Sequence, residues 1–142
     1  MHSPADNKKT VLIVEDEPDN REIMRAIIEE MLGLHAVVAP DGDTALSVVG
    51  QAEPVVILMD LMMPVLDGFE AIKRLKADPA TSHIPVIAVT ALGRPTDRQR
   101  ALDNGADEYL CKPFDIDVLI ETLIRYTRDS DPAEDPKSAI SS

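Results

Sequence analysis

The chain has 142 residues and a mass of 15.5 kDa, the size of one ordinary domain. Its formal charge of −12 excludes general binding of a phosphate backbone, which needs clustered Lys and Arg. The single cysteine, Cys111, excludes an internal disulfide and a multi-thiolate metal site, and no stretch reads as a signal peptide or approaches the roughly 20 apolar residues of a membrane span.

Apolar residues make up 44% of the chain and aromatics 3%, so the core is built from Val, Ile, Leu, Met and Ala. The first apolar run, Val11–Val14, predicts a strand. Ile23, Met24, Ile27, Ile28, Met31 and Leu32 then repeat at amphipathic helical spacing, with Asp19 as the expected N-cap and Gly33 as the stop. His35–Ala39 is a weaker second strand. Ala45, Leu46, Val48 and Val49 mark a short second helix, ended by Gly50 and Pro54. Val55–Met59 is the third strand, and Phe69, Ile72 and Leu75 mark the helix after it. Val86–Thr90 is the fourth strand, followed by a helix through Ala101 and Leu102 that starts near Thr96 and stops at Asn104-Gly105. Tyr109–Cys111 is the last strand, with Cys111 expected to be buried in it. The last helix carries Val118, Leu119, Thr122, Leu123 and Tyr126, capped by Asp115.

The segments VLIV, VVILM and VIAV are continuously apolar, as strands are when helices cover both faces of a parallel sheet. Five β–α repeats joined by short connections predict one doubly wound α/β domain over residues 8–128. Residues 1–7 and 129–142 are polar, contain Pro and lack periodicity, so they read as an N-terminal arm and a disordered C-terminal tail. No output domain is expected after the tail, leaving either a stand-alone regulator or a piece of a larger protein.

The informative residues are those at which the apolar runs stop. The first strand runs into Glu15-Asp16, the third into Asp60, the fourth into Thr90 and the fifth into Lys112-Pro113. Ligands of open α/β sheets bind beyond the C-terminal strand ends, so four strands deliver three carboxylates, a hydroxyl and an ammonium to one edge. Three close carboxylates repel one another. A divalent cation and the Lys112 ammonium relieve that repulsion, and Mg²⁺ suits an all-oxygen site. A carboxylate ionised among cations is a nucleophile toward phosphorus.

The stretches VLIVEDEP, VVILMDLMMPVLDGFEAIKRLK, IPVIAVTA and GADEYLCKPF resemble, in order and spacing, the receiver domains of two-component response regulators over roughly residues 8–128. The resemblance implies a flavodoxin-like (β/α)5 fold with strand order 2-1-3-4-5. It implies that Asp60 is phosphorylated from a histidine kinase or histidine phosphotransfer protein. Glu15 and Asp16 match the acidic pair that holds Mg²⁺, Asp16 directly and Glu15 through water, with the carbonyl of Met62 as a further ligand. Lys112 matches the lysine that pairs with the acceptor carboxylate and then the phosphoryl group. Thr90 and Tyr109 match the switch hydroxyl and aromatic, and Pro64 and Gly68 the turn after the acceptor. The expected output is altered binding of an unknown partner by the face of helix 4, strand 5 and helix 5, near which Arg94, Arg98 and Arg100 fall. A cytoplasmic protein that contacts neither nucleic acid nor membrane is implied, a phosphoacceptor rather than a turnover enzyme.

Two positions depart from the family pattern. Glu15 stands where the family more often has Asp, and apolar Met62 stands where some members orient an attacking water, so slow self-dephosphorylation is expected. Taken singly, Thr90 is as readily a cap or turn hydroxyl, Lys112 a solvated lysine, Tyr109 core filling, and His2, His35 and His83 surface or strand residues. A haloacid-dehalogenase-like phosphatase would need Asp at position 62. A P-loop hydrolase would need a Gly-rich loop after the first strand, where EDEPDN stands, and a flavin carrier would need more aromatics than two Tyr and no Trp. A receiver used as a scaffold without phosphorylation is the remaining alternative, against which the complete acidic, hydroxyl and lysine set speaks.

Overall fold

The computed structural model describes residues 9–62, 67–91, 93–113 and 115–129. Strands β1 (Thr10–Val14), β2 (His35–Ala39), β3 (Val56–Met59), β4 (Val86–Thr90) and β5 (Glu108–Cys111) alternate with helices α1 (Pro18–Ala26), α2 (Gly42–Ala52), α3 (Gly68–Ala77), α4 (Pro95–Asp103) and α5 (Ile116–Asp129). The strands form one parallel sheet in the order β2-β1-β3-β4-β5. The expected fold class, flavodoxin-like (β/α)5, is the observed one.

Alternation along each strand builds two cores. Leu12, Val14, Ile57, Met59, Val86 and Ala88 point to one face, where they meet Ala45 and Val49 of α2, Phe69, Ile72 and Leu75 of α3, and Ala101 of α4. Val11, Ile13, Val56, Leu58, Ile87 and Val89 point to the other, against Met24 and the following turn, and against Leu119 and Leu123 of α5. Each fully buried side chain of this size stabilises the fold by about 1.5–3 kcal/mol. The continuous apolar runs are therefore a consequence of helices on both faces. Arg100 of α4 also lies over the Phe69 ring, 3.9 Å from its centroid, and ties α4 to α3.

Helix ends differ from expectation in several places. α1 is capped by Glu17, whose carboxylate accepts the Asp19 amide, and Pro18 takes the first helical position that its fixed φ suits. Its path continues as a π-helical turn over Ile27–Met31 and stops before Gly33, which has φ +69°. Gly50 does not end α2: the helix runs two residues further and stops at Glu53 in the left-handed conformation, ahead of Pro54. α4 begins at Pro95, with Arg94 in the cap position. Cys111 is exposed rather than buried, because it ends the edge strand β5, whose residues are only partly covered. Met31 and Met62 are likewise exposed. The proposed arm and tail, and the turn residue Pro64, lie outside the described residues, apart from Asp129 at the end of α5.

Gly68 opens α3 directly under the tip of β3. A Cβ there would stand 2.4 Å from the Asp60 carbonyl oxygen and 2.6 Å from the Leu61 Cα, both backbone atoms that a rotamer change cannot move. Gly68→Ala should lose about 1–3 kcal/mol of stability, as overpacked sites do. Urea denaturation measures it, and an unchanged midpoint would contradict the close approach.

Candidate functional site

The strand ladder sets the site. Val14 and Met59 are register partners, so the residues after them are neighbours as well. The Asp60 amide donates to the Val14 carbonyl at 3.0 Å, and the Glu15 amide donates to the Ala39 carbonyl at 3.0 Å. Glu15 and Asp60 are thereby drawn into the buried end of the sheet, at 1% and 7% exposure, while Asp16 stays in solvent. One oxygen from each of the three carboxylates lies within 4.8 Å of those of the other two.

Lys112 arrives from the other side, just past β5, where its amide donates to the Thr90 carbonyl at 2.7 Å and its peptide bond to Pro113 is cis. Its Nζ sits 3.0 Å from Glu15 Oε1 and 3.7 Å from Asp60 Oδ2. The lysine thus pairs with the acceptor carboxylate, as expected of it, and makes its shorter contact to Glu15. The extra methylene of Glu over Asp supplies the reach. Glu15 Oε2 accepts the Glu17 amide at 3.2 Å, so both oxygens of this buried side chain are engaged. Asp60 Oδ1 accepts the Met62 amide at 3.0 Å, which holds the carboxylate in one orientation. The Met62 side chain itself is exposed.

Burial pushes the Asp60 carboxyl up to about 6, and the Glu15 carboxylate adds to the rise; the Met62 amide and the Lys112 ammonium oppose it. The arithmetic of charge explains the need for a cation. Three ionised carboxylates against one ammonium leave two negative charges, the charge a divalent ion neutralises. All donors are oxygens, which suits a hard cation such as Mg²⁺. The residues present fit that ion.

Thr90 is fully buried at the tip of β4, and its register partner is Cys111. Tyr109 pairs with Ala88 instead and packs into the α2–α3–α4 core. Its hydroxyl is buried and, among the described residues, has no hydrogen-bond partner, and burial pushes the phenol upward. Of the three arginines near α4, Arg94 is paired with Asp97 at 2.8 Å and Arg100 lies on Phe69. Sequence reasoning missed the Met62 amide and Arg21, whose guanidinium reaches back to the loop holding Glu15 and Asp16. An arginine in the first turn of a helix that follows an acidic loop was the available signal for the latter.

The description "Response regulator receiver domain" is that of the family model matching residues 11–124. Among curated proteins, the chain is 37% identical over 121 residues to the DNA-binding dual master transcriptional regulator RpaA of a Synechocystis strain, covering 85% of this chain and 50% of that protein. It is 40% identical over 116 residues to an uncharacterized 14.6 kDa protein of Leptolyngbya boryana, covering 82% of this chain and 88% of that one. The chain thus spans about half the length of curated relatives of the first kind. Chemotaxis protein CheY4 of Vibrio cholerae has a similar structure, with a TM-score of 0.77 and 30% identity over 84% of this chain and 98% of that one. The receiver domain of a sensor histidine kinase of Pseudomonas aeruginosa, solved with a magnesium ion coordinated in its active-site cleft, has a TM-score of 0.77 and 34% identity, covering 84% and 97%.

The raised Asp60 carboxyl has a definite consequence for stability in chelator. The folded chain holds this proton up to about pH 6, whereas the unfolded chain releases it near 3.8. The group's stabilising contribution is therefore complete below about pH 4 and lost as pH rises through 6. Asp60→Asn should abolish this part of the pH dependence and raise the stability of the metal-free protein at pH 7. Urea titrations in EDTA between pH 4 and pH 8 measure both effects; a less stable Asp60→Asn at pH 7 would count against the crowded-carboxylate picture.

Proposed function

The chain belongs to the response regulator receiver family, and from that premise we propose that it accepts a phosphoryl group on Asp60 and changes its binding surface in response. The observation that carries this reading is the convergence of Glu15, Asp16, Asp60 and Lys112 at neighbouring strand tips. The donor is a phosphohistidine of a histidine kinase or histidine phosphotransfer protein. An Asp60 carboxylate oxygen attacks the phosphorus, the N–P bond breaks, and the imidazole leaves and takes up a proton. The Met62 amide holds the nucleophile in place, and Lys112, already at the rim of the pocket, follows the charge from Glu15 to the incoming phosphoryl oxygens. Asp16, Asp60, the Met62 carbonyl and Glu15 would hold Mg²⁺, which would supply the neutralisation of charge needed when two anions meet.

Access supports a protein donor. Beside Lys112 and Pro113, α1 and α5 leave an apolar groove of about 530 Å³ that includes the exposed Ile23 and Ile116. A donor helix laid along it would meet Lys112, whose Nζ is 3.7 Å from Asp60 Oδ2. Output uses a neighbouring face that shares α5 with this groove. The bound phosphoryl group, with its charge and acceptor oxygens, recruits the Thr90 hydroxyl; Tyr109 moves with it, and the face of α4, β5 and α5 is remodelled for a partner protein or a further domain. The chain serves as a cytoplasmic phosphoacceptor and not as a turnover enzyme, since position 62 carries Met where an aspartate-nucleophile phosphatase has its acid–base carboxyl.

Incubation with acetyl phosphate and Mg²⁺ should add one phosphoryl mass to the intact protein. Asp60→Asn should add none, and EDTA should suppress the gain. A wild-type protein that stays unmodified overturns the reading. After removal of the donor, the modified form should persist for minutes or longer, because Met62 cannot orient water; decay within seconds would contradict that part.

A further inference from the structure

We propose that Arg21 is a positioning residue for the cation site, acting on the backbone that carries Glu15 and Asp16. Its Nη1 donates to the Glu15 carbonyl at 3.0 Å and to the Asp16 carbonyl at 3.2 Å. Both carbonyls lie past the last paired residue of β1, Val14, where the ladder no longer fixes the peptide planes. The arginine's own root is fixed, since its amide donates to the Glu17 carbonyl at 3.0 Å in the first turn of α1. One guanidinium nitrogen thus joins two successive peptides to the start of a helix. The directions in which the Glu15 and Asp16 side chains leave the backbone depend on those two peptides.

The loop needs such a brace because its natural tendency is to open. Glu15, Asp16 and Asp60 repel one another, and Asp16, as the exposed member, has the freest path outward. Lys112 restrains Glu15 through its side chain. No side-chain hydrogen bond restrains Asp16 among the described residues, so Arg21 acts through the main chain instead. Charge-assisted bonds of this kind are stronger than neutral ones, and partners one step removed from a metal commonly matter to its affinity.

Two roles for the same residue predict opposite signs. If Arg21 acted only by its positive charge, it would repel a divalent cation, and removing it would tighten binding. If it positions the loop, removing it loosens the ligands and weakens binding. The inference rests on the cation site proposed above, and the experiment separates the two. Mg²⁺ is titrated into the full chain by calorimetry for wild type, Arg21→Ala and Arg21→Lys, with urea denaturation in EDTA run in parallel. Arg21→Ala should bind Mg²⁺ roughly tenfold more weakly, and Arg21→Lys, which keeps a cationic donor on a flexible stem, should regain part of the loss. Should Arg21→Ala fail to fold in EDTA, Arg21→Met, which keeps the stem and loses the donors, carries the test. Unchanged or tighter Mg²⁺ binding in the donor-free variant overturns the positioning role. A wild type indifferent to Mg²⁺ overturns the cation site itself.

Discussion

Two buried carboxylates and one exposed one face the Lys112 ammonium at the end of a largely apolar sheet. That imbalance is what the rest of the molecule accommodates. Glu15 takes the ammonium, Asp60 keeps its proton to an unusually high pH, and Asp16 remains in solvent. The cluster is tolerated because the sheet leaves no choice. Parallel strands covered on both faces admit no charge along their length, so every charged residue is displaced to a tip. With β1 and β3 in register at Val14 and Met59, the tips coincide.

The same geometry explains why the fold was legible. Uninterrupted runs such as Val11–Val14 and Val86–Thr90 reflect burial on two sides, whereas the order of the strands was implied only by the family resemblance. Site residues were legible because each comes immediately after such a run. What was missed is of a different physical kind. The α1 cap is Glu17 because Pro18 can start a helix, a local preference that outweighed the periodic signal at Asp19. Gly50 stays helical because nothing crowds or bends that turn, and the helix ends only where Pro54 approaches. Cys111 was placed inside because small cysteines in strands are usually buried, but it ends the edge strand β5, which is covered only in part.

The other misses concern the main chain. Lys112 lies beside the acceptor as expected, and only its shorter contact to Glu15 was not foreseen. The Met62 amide and the Arg21 bonds involve backbone groups, which every residue carries and no motif records. Side-chain identity therefore located the pocket, whereas the groups that hold it in shape had to be seen. The pocket also stands between two different surfaces: an apolar groove between α1 and α5, and a partly covered edge formed by α4 and β5.

Tyr109 packs into the α2–α3–α4 core while its hydroxyl is buried and, among the described residues, has no hydrogen-bond partner. Such an orphaned group forfeits about 1–3 kcal/mol, equivalent to roughly a five- to 150-fold bias in an equilibrium. That interval is the same as the coupling free energies by which distant sites ordinarily sense each other. One hydrogen bond gained by that hydroxyl is therefore large enough to shift such an equilibrium.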